Sequence, residues 1–349
     1  MFKKITFCLT CVLCCLVPIQ KVTARPGTRK QTAQNRTQHQ REDLKQFLQR
    51  NQMRVLQEGP QVRAYNNQHQ ITFKVKSPEI FFNGTKIYLS QPIQSQENRI
   101  YINKCDSESI LYPLLHPQTV HSAKNKIIVI DPGHGGKAEG ARNNALNIIE
   151  KNYTFNTARE LKKALQLLGY NVYLTRNDDR NLSLKDRSNY ANRLRAKLFI
   201  SIHYNASQSE SSNGIETYAY TFPFQHSTGR NQASYQDGKS QPNNRFDKQN
   251  TLLAYYIHRN LINTLHRADR GLRHARFGVL KDLNCPGVLI ECGFISNQSE
   301  ALHIKTEPYQ KQLVRSIVKG IQQFETETNF SQKKPLQSTK PHLQIKRVR

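Results

Sequence analysis

Acidic residues are scarce in this chain: 25 Asp and Glu stand against 52 Lys and Arg in 349 residues, a formal charge of +27. That deficit disfavours neutral metabolites as partners and favours polyanions, whether nucleic acid, anionic glycan or a membrane surface. Long hydrophobic runs are few as well. The run that opens the chain, Ile5 to Ile19, is short for a membrane span of about 20 residues and is broken by Thr10 and Pro18. With Lys3-Lys4 before it and Val22-Thr23-Ala24 after it, the segment has the order of a secretory signal. Residues 1–24 are therefore expected to be a signal peptide and the protein to be exported, to the periplasm or cell envelope. Cysteine is sparse too, since four of the seven fall within that segment and leave Cys105, Cys285 and Cys292. Their spacing suits neither a disulfide framework nor a cysteine-rich zinc knuckle. Export points the basic charge towards wall glycans and lipid phosphates. It opposes nucleic acid as a partner, and aromatic residues do not interleave with the basic runs as stacking platforms would.

Few apolar residues lie between Arg25 and Gln70, where Gln, Asn, Arg and Lys dominate, so residues 25–70 are expected to be a disordered basic linker. Within it Leu44, Phe47 and Leu48 could line one face of a short helix. The texture changes at Ile71, where apolar and polar residues alternate and Asn83-Gly84 separates two short apolar runs as a hairpin turn signal. Residues 71–116 read as a small β-rich accessory domain. From Lys126 strand and helix patterns alternate: strands at Ile127–Ile130, Val172–Leu174, Leu198–Ile202, Ile215–Tyr220, Gly278–Leu280 and Val288–Ile290. Helices are expected at 147–168, 184–194, 252–265 and 309–324, with a polar loop over 221–249. Such alternation implies an α/β fold, with a mostly parallel sheet flanked by helices. Residues 126–328 form the expected main domain, and 329–349 a basic tail.

In an open α/β sheet functional groups collect where the carboxyl ends of the strands face a common crevice. The first strand runs into Asp131-Pro132-Gly133-His134-Gly135-Gly136, the third ends on His203, the strand from Val288 ends on Glu291, and Glu150 opens the first helix. Two imidazoles and a carboxylate would leave a tetrahedral zinc one position for water, the pattern of a catalytic site. A further carboxylate could then move the water's proton to a leaving nitrogen. Each residue also has a plainer reading: a His at a strand end is more often structural, and an acid at a helix start is favoured by the helix dipole. The glycine-rich turn lacks the Lys-Ser or Lys-Thr pair of a phosphate loop.

The motifs resemble those of the zinc-dependent N-acetylmuramoyl-L-alanine amidases known as Amidase 3. Ile128–Gly136 resembles the family's opening motif, Glu150-Lys151 its second ligand position, and Thr175-Arg176 with Leu184, Arg187, Ala191 and Asn192 its central segment. Phe199–Ala206 is similar to its third-ligand strand, and Pro286–Asn297 to the segment with its catalytic glutamate. The likeness covers roughly Lys126 to Glu325. It implies the zinc amidase fold, Zn2+ held by His134, Glu150 and His203, and Glu291 as general acid/base. It also implies cleavage of peptidoglycan between N-acetylmuramic acid and L-alanine, in wall remodelling and daughter-cell separation, by a monomer. Two departures are Ala138-Glu139, where the family usually has an Asp, and Cys292, where an apolar residue or Thr is more common.

Some family members cover the zinc with a helix until a partner removes it, and an envelope activator protein would then be a second partner. The stretch 221–249 lacks an apolar periodic face, so no such helix is expected here. Two other readings of the chain are a zinc peptidase acting on stem peptides and an inactive peptidoglycan-binding regulator.

Ser331 to Arg349 holds six Lys or Arg and no acid. Deleting it is expected to reduce co-sedimentation with purified sacculi, most clearly at low salt; unchanged sedimentation would show the tail to be merely solvated.

Overall fold

The computed structural model describes residues 41–230 and 235–329. The signal expected at 1–24, the start of the linker and the basic tail beyond Asn329 lie outside the described residues. The expected linker is corrected from Arg41 onward. There the chain forms strand β1 (Arg41–Asp43), helix α1 (Leu44–Arg50), and strands β2 (Arg54–Glu58) and β3 (Gln61–Tyr65). Asp43 caps α1 by accepting a hydrogen bond from the Gln46 amide at 3.0 Å. Leu44, Phe47 and Leu48 are buried beneath the helix, and Val62 and Ala64 beneath β3. Five apolar residues at the right spacing thus offset the ordering of a polar segment, a balance that average composition conceals.

The β-rich region continues as β4 (Gln70–Lys74), β5 (Glu79–Phe82), β6 (Thr85–Tyr88), β7 (Gln94–Gln96) and β8 (Arg99–Asn103). Asn83 and Gly84 both take positive φ, 48° and 81°, and join β5 to β6 in the tight turn their sequence signalled. The region does not stand apart. Strands β2 to β6 form an antiparallel meander that adds onto β15 (Asp269–Ala275), with Ile87 opposite Leu272, and so extends one 11-stranded sheet.

In that sheet β12 (Asn171–Leu174), β9 (Ile127–Pro132), β13 (Leu198–Asn205) and β16 (Gly287–Phe294) are parallel neighbours, while β10 (Arg142–Asn143) and β11 (Ile148–Ile149) pair apart from it as a short antiparallel hairpin. The next strand, β14 (Ile215–Tyr220), runs antiparallel to β16, and β15 runs parallel to β14. The result is the mixed, mostly parallel arrangement expected of this part of the chain. Side chains alternate between two buried faces: Ile128, Ile130, Ile200, Ile202, Val288 and Ile290 enter the larger core, Val129, Phe199 and Leu289 the smaller. The larger core is closed by α2 (Glu150–Leu167), α4 (Asp247–Leu265), α6 (Gln298–Ile304) and α7 (Glu307–Asn329), the smaller by α3 (Leu184–Arg193) and α5 (Gly278–Lys281).

Two local readings need correction. Gly278-Val279-Leu280, expected as a strand, is a helical turn in which the Leu280 amide reaches Phe277 O at 3.0 Å; so short an apolar run does not distinguish strand from helix. Strand β15 has no clean alternation to signal it, since Leu272 is its one large apolar residue among Asp269, Arg270, Arg273 and His274. Because β14 is reversed relative to β16, the stretch that begins at Thr221 leaves the sheet at the edge opposite Glu291.

Replacing Leu48, which has no exposed surface, by Ala should cost about 2–5 kcal/mol in urea denaturation. A loss under about 0.5 kcal/mol, the size of an ordinary surface substitution, would mean that α1 lies outside the cooperative core.

Candidate metal centre

Strand β9 ends on Asp131-Pro132, and the chain then turns so sharply that His134 adopts a left-handed backbone, φ 63°. Such a conformation is unfavourable for a residue with a side chain and persists only where its surroundings enforce it. Here they do. The buried Asp131 carboxylate accepts hydrogen bonds from Thr175 Oγ1 at 2.6 Å, Arg187 Nη1 at 2.8 Å and Ser201 Oγ at 2.8 Å. Burial opposes its charge, but Arg187 and these donors prevail and hold its pKa below the usual carboxylate range. Arg187 also donates to Pro132 O at 2.9 Å and His134 O at 2.8 Å, and Arg176 to Pro132 O and Gly133 O, each at 3.1 Å. Two buried guanidinium groups therefore clamp the carbonyls on both sides of the turn.

Glu150, the first residue of α2, is almost fully buried. Its Oε1 lies 3.0 Å from His134 Nε2 and 3.0 Å from His203 Nδ1, and accepts a hydrogen bond from the Tyr204 amide at 3.1 Å. Its Oε2 accepts from the Ala141 amide at 2.8 Å. Burial alone would raise its pKa, but the hydrogen bonds and charge of the two imidazoles win and hold the carboxyl well below its ordinary range. The two imidazole rings stand 4.9 Å apart at 75°. The three side chains expected from the sequence, His134, Glu150 and His203, thus meet, each with a ligand atom within 4.8 Å of the others. Two nitrogens and one oxygen on two protected flanks form a donor set suited to a metal ion with a position left for substrate or water.

The close approach depends on missing side chains. A Cβ on Gly133 would lie 2.3 Å from His203 Cε1, and one on Gly140 would lie 2.4 Å from Glu150 Oε2 and 2.7 Å from His134 Cδ2.

Glu291 stands beside this group without joining it. On β16 it is the register partner of His203 on one side and of Glu216 on the other. The residue is partly open to solvent, yet its Oε2 is buried and makes no hydrogen bond among the described residues. Burial first, then the charges of Glu150 and Glu216, push its pKa well above the usual carboxyl range. Glu216 went unread in the sequence. Buried on β14, it accepts hydrogen bonds from Asn205 Nδ2 at 3.0 Å, Tyr218 OH at 2.7 Å and Arg270 Nε at 2.7 Å. An acid inside the apolar strand Ile215–Tyr220 was the available signal, as were Asp131, Arg176 and Arg187 for the clamp.

A model of the N-acetylmuramoyl-L-alanine amidase family matches residues 128–323. Among curated proteins, one from Staphylococcus epidermidis named "Probable cell wall amidase LytH" is 33% identical over 202 residues, 58% of this chain and 59% of its own length. Its namesake in Staphylococcus aureus is 33% identical over 199 residues, 57% of this chain and 58% of its own. The chain therefore spans less than two thirds of these relatives. Among solved structures, the N-acetylmuramoyl-L-alanine amidase of Clostridium difficile 630 is 31% identical, covering 61% of this chain and all of its own at a TM-score of 0.48. The amidase AmiC2 of Nostoc punctiforme is 27% identical, covering 58% and 98% at 0.48.

The crowding at Gly140, whose φ of 74° is itself left-handed, yields a direct expectation. Gly140→Ala should weaken metal affinity at least tenfold, read by isothermal titration or by metal content after dialysis, with the fold retained. Undiminished affinity would show that the spacing of His134 and Glu150 is not needed for binding.

Proposed function

The chain belongs to the N-acetylmuramoyl-L-alanine amidase family, and on that premise we propose that it is an exported zinc amidase cutting peptidoglycan between N-acetylmuramic acid and L-alanine. One observation carries the reading: a compact His134, Glu150 and His203 donor group adjoins a carboxyl, Glu291, whose buried oxygen has no partner of its own. Neutral imidazole nitrogens and a carboxylate oxygen match the borderline preferences of Zn2+. Zinc held there would supply a Lewis acid that polarises the scissile carbonyl and acidifies water.

The protein's own groups supply the rest. Glu150 is fixed by the Ala141 and Tyr204 amides, so it orients both imidazoles rather than turning towards solvent. The arginine clamp keeps His134 directed at the site. Glu291 lies one strand from His203, where it can take a proton from the attacking water and deliver it to the departing nitrogen of L-alanine. An environment that favours its neutral form suits the delivery half of that cycle. The bond broken is the lactyl C–N amide, the water oxygen goes to the carbonyl carbon, and both water protons end on the two products.

No helix among the described residues is long and apolar enough to cross a membrane. Export by the signal at residues 1–24 and action in the envelope on peptidoglycan as a monomer complete the proposal, with an envelope activator protein as a further partner.

Glu291→Gln should lower kcat on purified sacculi by about 10²- to 10⁴-fold while metal content stays at the wild-type level. Mass analysis of the wild-type digest should find peptides beginning at L-alanine and bare glycan; products trimmed only within the peptide would replace the amidase reading with a peptidase.

A further inference from the structure

An open cavity of about 410 Å³ lies on the same sheet edge as the donor group, beyond Glu216. It is lined by Lys86 and Tyr88 of β6, Ser212 and Asn213 of the loop after β13, and Arg270 and Arg273 of β15. The charge in it is arranged unevenly. Its acid, Asp269, is spent: Oδ1 accepts from His258 Nε2 at 2.9 Å and the Gly271 amide at 2.8 Å, and Oδ2 from the Lys86 amide at 2.9 Å. Glu216, behind the wall, takes Arg270 Nε at 2.7 Å and lies 3.6 Å from Arg273 Nε. Among the described residues no hydrogen bond occupies the terminal Nη groups of either arginine. Arg273 is held in place over the Tyr88 ring, 4.5 Å from its centroid, and Arg270 over Phe294 at 4.9 Å. Two guanidinium forks braced on aromatic faces, with Lys86 lining the same groove 3.9 Å from Glu79 Oε2, are the geometry in which a carboxylate is bound bidentately.

Resting on the amidase reading above, we infer that this groove is a subsite for a carboxylate of the substrate's stem peptide. Neighbouring strands lie about 4.8 Å apart, so the steps from the His203–Glu291 pair across Glu216 to Arg270 amount to roughly 12 Å. An extended peptide covers that in about three to four residues, at roughly 3.3–3.6 Å each. The groove thus meets a peptide whose first residue sits at the cut bond, and the hydroxyl of Ser212 and the amide of Asn213 offer neutral contacts along the way. Lys86 and Tyr88 come from the N-terminal meander, so the added strands take part in reading the substrate.

Two soluble muramoyl peptides test this: one with free carboxylates on its second and third residues, the other with those groups as carboxamides. The wild-type enzyme should show a KM about tenfold lower on the carboxylate form, the worth of a charge-assisted pair, and the preference should shrink as salt rises. The double variant Lys86→Gln with Arg273→Gln should lose the preference by raising KM on the carboxylate form alone. Equal KM values in the wild type would overturn the subsite and leave the amidase reading intact. Cleavage of neither peptide at the muramoyl bond would overturn that reading, and the subsite with it. Should the double variant fail to fold, the wild-type ratio and its salt dependence decide alone.

Discussion

Everything at the working edge of this molecule hangs on a buried ion pair between Asp131 and Arg187, whose side chains are 1% and 4% exposed. A lone carboxylate at that depth would be strongly disfavoured, and so would a lone guanidinium. Together, with Thr175 and Ser201 filling the remaining acceptor positions, they form a satisfied polar knot between β9, the segment after β12, β13 and α3. The knot sets the level at which β9 stops and lends Arg187's second fork to the carbonyl of His134. A strained backbone turn thereby becomes the single conformation available, and the imidazole it carries reaches Glu150 without searching.

Much of the site was legible because its chemistry is written at strand ends. His134 follows an apolar strand through glycines, His203 and Glu291 lie in the carboxyl halves of two others that each run on past them, and Glu150 opens a helix, so the topology brings them to one edge. The supporting residues were harder to read. Arg176 and Arg187 lie on elements whose periodicity explains them as helix or loop cations, and their inward course is fixed by contacts 22 to 56 positions away in the chain. Glu216 had the same difficulty: an acid in an apolar strand is ambiguous until the neighbouring Arg270 is seen to meet it.

The fold was legible where the hydrophobic period was clean and obscure where it was diluted. Helices α2 and α7 fall where apolar residues recur every three or four positions. The segment from Arg41 to Tyr65 is polar on average but buries Leu44, Phe47, Leu48, Met53, Val62 and Ala64 while leaving Leu56 exposed, and that spatial economy is invisible to composition. Gly278–Leu280 shows the opposite failure, since three apolar residues do not distinguish one turn of helix from a short strand.

The N-terminal meander also changes how the sheet ends. Without it β15 would present a row of open amides and carbonyls one strand from Glu216, an invitation for another extended chain to pair there. With it, the outermost position passes to β2, Arg54–Glu58, whose short, twisted run carries Arg54, Gln57 and Glu58 outward. The first consequence is selectivity of contact: a passing strand finds the outer side of β15 taken, and the open edges of the described sheet are β2 and, beyond β9, β12. What approaches must be recognised by its side chains instead.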